Sequence, residues 1–170
     1  MQPVYKIETR KENQKFSAAH MATFEDGAIE RLHGHNYHVG AALSGTLDQA
    51  GMVLDVGILR EWVREICATL DERFLVSLLN PMLQIEVGEE QVRIQYKNKR
   101  YAIAREDCVL LPIPNTTMEH LGWHIAEQLI ERIRREPAAS RLLELEVSVS
   151  ETAGQSASWR VRLDTPGDFE

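Results

Sequence analysis

Apolar residues recur along this chain with two different periods, and the changes between them mark out its elements. Residues 4–20 read as one long, interrupted extended run. Over 35–46, Tyr37, Val39, Ala41 and Leu43 fall on one side and His38 on the other, which predicts a strand with one apolar face. Ser44-Gly45-Thr46 and Gln49-Ala50-Gly51 break it. Asp55 stands at an N-cap position before Leu59, Trp62, Val63, Ile66 and Leu70, whose spacing predicts a helix over 57–72. Thr116-Thr117-Met118-Glu119 has the spacing of a capping box, and Met118, Leu121, Ile125, Leu129 and Ile133 follow at helical intervals. A second helix is therefore predicted over 117–135, stopped by Pro137.

Leu143, Leu145, Val147 and Val149 alternate with Glu144, Glu146, Ser148 and Ser150, so this strand has one buried and one wet face, and Glu151 continues the buried phase. Trp159, Val161 and Leu163 alternate with Arg160 and Arg162 in a final strand. Between the helices, 91–96 and 100–104 are further extended runs joined by Lys97-Asn98-Lys99, most simply an inserted hairpin within about 82–111. The skeleton is strand-strand, helix-helix, strand-strand: an α+β fold in a single domain over 1–170 carrying that insertion.

The chemistry concentrates before the first helix. His33-Gly34-His35 follows thirteen residues after His20. In an extended backbone, side chains two apart share a face, so His33 and His35 can aim their ring nitrogens at one metal with no side chain between them. His20 ends Lys15-Phe16-Ser17-Ala18-Ala19-His20, which can pair antiparallel with 36–43; folding back across 21–32 then brings it to the pair. Three imidazoles leave the fourth position of a zinc ion open, as a catalytic site requires and a structural one does not. His120 and His124 lie one helical turn apart, but they share a polar face with Glu127 and Glu131, which points to a solvated surface.

With 170 residues, 44% of them hydrophobic, the chain can build one core without staples. A formal net charge of −7 argues against a nucleic-acid partner, whose footprint is a basic face, so an anionic small molecule must be held by local Arg, Lys or helix N-termini. Cys67 and Cys108 are too few for a disulfide framework, the N-terminus does not resemble a signal peptide, and no apolar run approaches the roughly 20 residues of a membrane span. The expectation is a cytoplasmic protein with no membrane partner.

Phe16-Ser17-Ala18-Ala19-His20, Leu32-His33-Gly34-His35-Asn36-Tyr37, Gly51-Met52-Val53-Leu54-Asp55, Leu70-Asp71, Thr117-Met118-Glu119 and Ser150-Glu151-Thr152 occur in that order. Together they resemble the 6-pyruvoyl-tetrahydropterin synthase family, which includes the carboxytetrahydropterin synthases of queuosine synthesis. The resemblance covers nearly the whole chain except 82–111. It implies the T-fold, a ββααββ unit whose four-stranded antiparallel sheet carries two helices on one face. It also implies edge-to-edge assembly of copies into a barrel, typically a homohexamer built as a dimer of trimers, with pterin sites at subunit interfaces. The implied cofactor is Zn2+, held by His20, His33 and His35, and the implied substrate is 7,8-dihydroneopterin triphosphate.

In the synthase branches a cysteine upstream of His-Gly-His acts as base, coupled to an Asp-His dyad after the first helix. Here the cysteine region reads Gly27-Ala28-Ile29-Glu30 and the dyad reads Asp71-Glu72. The first departure resembles a family branch with a Glu-x-x-His-Gly-His motif, in which Glu30 would be the base and retro-aldol cleavage would release 6-hydroxymethyl-7,8-dihydropterin, a folate precursor. The alternative for Glu30 is a solvated loop glutamate. Asp71 and Glu72 remain catalytic candidates, although Glu72 shuttles a proton at neutral pH only if burial raises its pKa. Glu151 is the candidate pterin anchor, since a carboxylate accepts two parallel hydrogen bonds from an aminopyrimidinone. Thr117 and Glu119 are candidate pterin neighbours, and Arg31, Arg73 or Lys15 can reach a triphosphate. Two other functions stay open: a pyruvoyl- or carboxypterin synthase working without its usual cysteine, and a catalytically silent pterin-binding protein.

Overall fold

The computed structural model describes residues 3–152 and 154–163. The long first extended run divides into β1 (Tyr5–Thr9) and β2 (Lys15–His20), both antiparallel to the thirteen-residue β3 (His33–Gly45). The interruption has a local cause. The buried Gln14 side chain accepts hydrogen bonds from the Thr9 hydroxyl at 2.9 Å and the Lys11 backbone at 2.5 Å, so residues 10–13 turn out of the ladder, which the Gln14 carbonyl rejoins by accepting the Val39 N–H at 2.8 Å. β2 pairs with 33–38 of β3, nearer the loop than the expected 36–43, because β1 occupies 41–45.

Helix α1 (Val56–Leu70) is capped by the Asp55 carboxylate, which accepts the Gly57 N–H at 2.7 Å. It stops two residues short of the predicted end: Asp71 is extended and Glu72 takes φ +54, which turns the chain back. Helix α2 (Met118–Ile133) starts on Thr117, whose hydroxyl oxygen accepts the His120 N–H at 3.5 Å. The expected box between Thr116 and Glu119 is therefore displaced by one residue, and Thr116 is free for another use.

The four-stranded antiparallel sheet expected from the resemblance is instead seven-stranded, in the order β10-β9-β3-β2-β4-β8 with β1 also on β3. β9 (Leu142–Thr152) and β10 (Gln155–Arg162) are the antiparallel pair read from the sequence. A register shift at Gly45, where a Cβ would lie 2.4 Å from the Arg141 carbonyl oxygen, buries Leu142 rather than the expected Leu143. The additions are β4 (Arg73–Ser77) and β8 (Cys108–Leu111), parallel to β2 and to β4 respectively.

Both helices cover one face. Leu59, Val63, Ile66 and Leu70 of α1 and Leu121, Ile125, Leu129 and Ile133 of α2 bury against Phe16, Tyr37, Val39, Leu43, Leu145, Val147 and Val149. Full burial of each large apolar side chain contributes about 1.5–3 kcal/mol. The insertion is larger than a hairpin: β5 (Gln84–Val87), β6 (Gln91–Tyr96) and β7 (Lys99–Ala104) form a three-stranded sheet. Val92 and Ile94 pack it on Met21, Phe74, Val76 and Cys108, on the face of the main sheet away from the helices.

Candidate active site around three histidines

The β2–β3 register sets His20 directly across from His33, and Ala18 across from His35. Since His20 follows Phe16 and Ala18, and His33 and His35 precede Tyr37, all three imidazoles share the helix-facing side of the sheet at the end where it opens into residues 21–32. Their ligand nitrogens lie within 4.8 Å of one another, the one such group of three or more His, Cys, Asp or Glu among the described residues. His33 Nε2 and His35 Nε2 face each other at 2.9 Å.

The tautomers follow from the partners. His20 Nδ1 lies 3.0 Å from the Thr116 carbonyl oxygen and 3.2 Å from its hydroxyl. A carbonyl only accepts, so Nδ1 carries the proton and Nε2 presents a lone pair, which meets the Tyr37 hydroxyl at 3.0 Å. His33 Nδ1 likewise donates to the Arg31 carbonyl at 2.7 Å and leaves its Nε2 free. Burial, helped by the neighbouring His33, pushes the pKa of His20 down to about 4. An imidazole whose other nitrogen is engaged is a donor well suited to a divalent metal, and Nδ1 is so engaged in His20 and His33. Tetrahedral zinc–nitrogen bonds of about 2.0–2.1 Å put ligand atoms about 3.3 Å apart, a small adjustment from the spacing here.

Two carboxylates border the imidazoles. Glu30 Oε2 is 4.0 Å from His33 Nε2 and is held by the Ala22 N–H at 2.9 Å. Glu151 Oε2, in phase with Leu145, Val147 and Val149 on β9, is 3.8 Å from His35 Nε2. Tyr37 joins the two halves. It is fully buried, stacks on Phe16 with ring centroids 4.8 Å apart, and its hydroxyl lies between His20 and the Glu151 carboxylate. Burial, with Glu151 and Glu30 nearby, holds its phenol well above the ordinary range.

The other candidates are not part of the three-histidine group. Asp71 accepts the Ser17 N–H at 2.7 Å, tying the end of α1 to β2. The Glu72 N–H donates to the Ser17 carbonyl at 2.7 Å, and Glu72 borders a cavity of about 500 Å³ shared with Gly34, His35, Asn36 and Arg73. Thr117 spends its hydroxyl on the helix cap, and Glu119 is exposed on the first turn of α2. Arg73 donates to the Glu106 carbonyl, while Lys15 pairs with Glu12 at 3.0 Å. His120 meets the Thr117 hydroxyl and His124 meets Gln128, and neither belongs to a group of three or more candidate ligands among the described residues. Sequence reasoning missed Thr116 as the partner of His20; its only signal was a threonine unused by the cap.

Among known proteins, the chain matches the family model of 6-pyruvoyl tetrahydropterin synthase over residues 9–161. The chain belongs to the 6-pyruvoyl tetrahydropterin synthase family. A Methanocaldococcus jannaschii protein provisionally named 6-carboxy-5,6,7,8-tetrahydropterin synthase is 34% identical over 153 residues, which cover 88% of this chain and 91% of that protein. A Pyrococcus horikoshii protein provisionally given the same name is 32% identical over 155 residues, 91% of this chain and 90% of its own. The crystal structure of the Plasmodium vivax 6-pyruvoyl tetrahydropterin synthase aligns with a TM-score of 0.89 at 32% identity, covering 95% of this chain and 99% of that one. Two helices on one face of a curled sheet fit the T-fold of this 6-pyruvoyl tetrahydropterin synthase relative.

Neutral burial of His20 makes the metal-free protein pH-sensitive. An unfolded His20 takes a proton near its ordinary value of about 6.5, whereas the folded one resists until about 4, so stability falls as pH drops through that window. Between pH 7 and 5 the His20 contribution to the loss is about 2 kcal/mol. Urea unfolding of metal-stripped protein at both pH values should show it, and His20→Gln should remove that part of the slope; an equal slope in both proteins contradicts the assignment.

Proposed function

We propose that this member of the 6-pyruvoyl tetrahydropterin synthase family is a zinc-dependent lyase acting on 7,8-dihydroneopterin triphosphate, cleaving its side chain to 6-hydroxymethyl-7,8-dihydropterin. The observation that carries the choice of chemistry is Glu30, whose carboxylate stands 4.0 Å from His33 Nε2 where the synthase branches place a thiol. Both cysteines are buried elsewhere: Cys67 on the core face of α1, where burial raises its thiol to about 12, and Cys108 against the inserted sheet. Neither offers a thiolate. Two further Plasmodium vivax structures replace a glutamate with cysteine or alanine and are described as catalytic residue mutants, so a relative of the same fold uses a glutamate in that role.

His20, His33 and His35 would hold the metal through their Nε2 atoms, and zinc there supplies polarisation of the side-chain hydroxyls, lowering their pKa. Glu151 anchors the aminopyrimidinone by paired hydrogen bonds, with Tyr37 fixing its carboxylate. Glu30 takes the proton of the second side-chain hydroxyl. The bond between the first and second side-chain carbons breaks as that oxygen becomes a carbonyl, and the ring imine receives the electron pair. Return of the proton to the first carbon leaves the hydroxymethyl pterin and a two-carbon aldehyde bearing the triphosphate. A second reading, a 6-carboxypterin-forming synthase, draws on the names of the archaeal relatives; the products formed from dihydroneopterin triphosphate separate the two.

Glu30→Gln keeps every metal ligand and the anchor, so it should bind zinc and pterin normally while losing about 10²–10⁴-fold in kcat. Unchanged turnover returns Glu30 to a solvated loop role. His33→Ala should lose stoichiometric zinc in metal analysis, and full occupancy in that variant refutes the ligand set.

β8 and β10 end the sheet order, so among the described residues each keeps one edge without a partner strand, and copies joining edge to edge would cover them. In this reading the Glu151 pocket is completed by a neighbour. Sedimentation at micromolar concentration should give an oligomer, with a hexamer expected; an active monomer argues against a shared site.

A further inference from the structure

Residues 22–30 form a small hairpin of their own. The Phe24 N–H donates to the Ala28 carbonyl at 2.9 Å, Thr23 bridges Ile29, and the Glu30 N–H donates to the Ala22 carbonyl at 3.0 Å. The Ala22 N–H in turn holds Glu30 Oε2 at 2.9 Å, so the direction of this carboxylate is set by the hairpin backbone. An isolated two-stranded hairpin is marginally stable in water, and Phe24 here is 49% exposed, so its orientation depends on ties from outside.

Those ties lie at both ends. At the open end Asn115 pairs with the Thr23 backbone at 2.8 and 3.1 Å, and Asn80 donates to the Thr23 hydroxyl at 3.0 Å. At the tip, Gly27 takes φ +77 and its carbonyl receives two donors from the inserted sheet, the Tyr96 hydroxyl and, at 3.0 Å, the Lys97 ammonium. Tyr96 is 8% exposed at the end of β6, and Lys97, at the β6–β7 turn with φ +51, lies over its ring at 4.9 Å. The body of the same sheet packs on β4 and β8 and takes Ile29, the residue next to Glu30, against its apolar face.

We infer that the inserted sheet is a clamp for the catalytic loop, and that Tyr96 is a positioning residue which holds Glu30 against the three histidines through the Gly27 carbonyl. This rests on Glu30 acting as the base. Loss of the tip contact loosens the 27–30 strand that runs from the Gly27 carbonyl to Glu30, while Thr23 on the other strand stays tied to Asn80 and Asn115, so the carboxylate loses its fixed direction but neither the metal ligands nor Glu151 move.

The test is steady-state kinetics of the metal-loaded full chain with dihydroneopterin triphosphate, comparing wild type, Tyr96→Phe, Glu30→Gln and the double variant. Tyr96→Phe should lose about ten- to a hundredfold in kcat, the order expected of a misplaced reacting group, with KM and zinc content close to wild type. In the Glu30→Gln background the same change should cost nothing further, because two residues acting through one carboxylate are not additive. A wild-type kcat in Tyr96→Phe, or an equal loss in both backgrounds, overturns the clamp while leaving Glu30 as base. Full activity in Glu30→Gln overturns both. If Tyr96→Phe loses its cooperative unfolding transition, Lys97→Met at the exposed second donor takes its place. It should give a smaller loss confined to kcat, and an unchanged kcat there overturns the clamp.

Discussion

Everything at the site depends on one register. Antiparallel pairing of β2 with β3 sets His20 across from His33, and the pleat puts His35 on the same side. A slip of one residue would send a histidine to the opposite face. The register is held from both ends of β3. Tyr37, Val39 and Leu43 are locked into the core under the helices, and Gly45 sits where a side chain would strike the Arg141 carbonyl. Burial of apolar side chains far from the chemistry thus decides where the imidazoles stand.

A second constraint is the polarity of a half-buried cluster with His20 at its buried end. A polar side chain such as His20 is costly to bury without partners, and it has one on each nitrogen: Thr116 on one side and Tyr37 on the other. Thr116 immediately precedes the cap of α2, so the packing of that helix sets the tautomer of an imidazole on β2. The Tyr37 hydroxyl carries one proton, given to His20 Nε2 here, and lies beside the Glu151 carboxylate. The three histidines, Thr116, Tyr37 and Glu151 therefore sit in one polar group, and a change in any member is felt by the others.

The two faces of the sheet divide the work. The helix side carries the main core and the histidines. The other side, at β2, β4 and β8, carries the inserted sheet, which stabilises those short strands and reaches the loop that bears Glu30. Glu30 lies in a loop outside the regular strands, its carboxylate held by the Ala22 backbone.

Periodicity, being a property of one segment, was enough to put His33 and His35 on a shared face, to place Glu151 in phase with the buried residues of β9, and to find both helices with their caps within a residue or two. It was silent on β4 and β8, because runs of three or four apolar residues have no period to read and their parallel partners are distant in sequence. It also assigned Thr116 to a cap, since a hydrogen bond between residues 96 apart exists only once α2 has docked on the sheet. The same holds for Glu30. The sequence by itself determined that a carboxylate precedes the His-Gly-His pair. That it turns toward His33, held by the Ala22 backbone, was decided only by tertiary structure, because the loop has too little apolar surface to choose its own orientation.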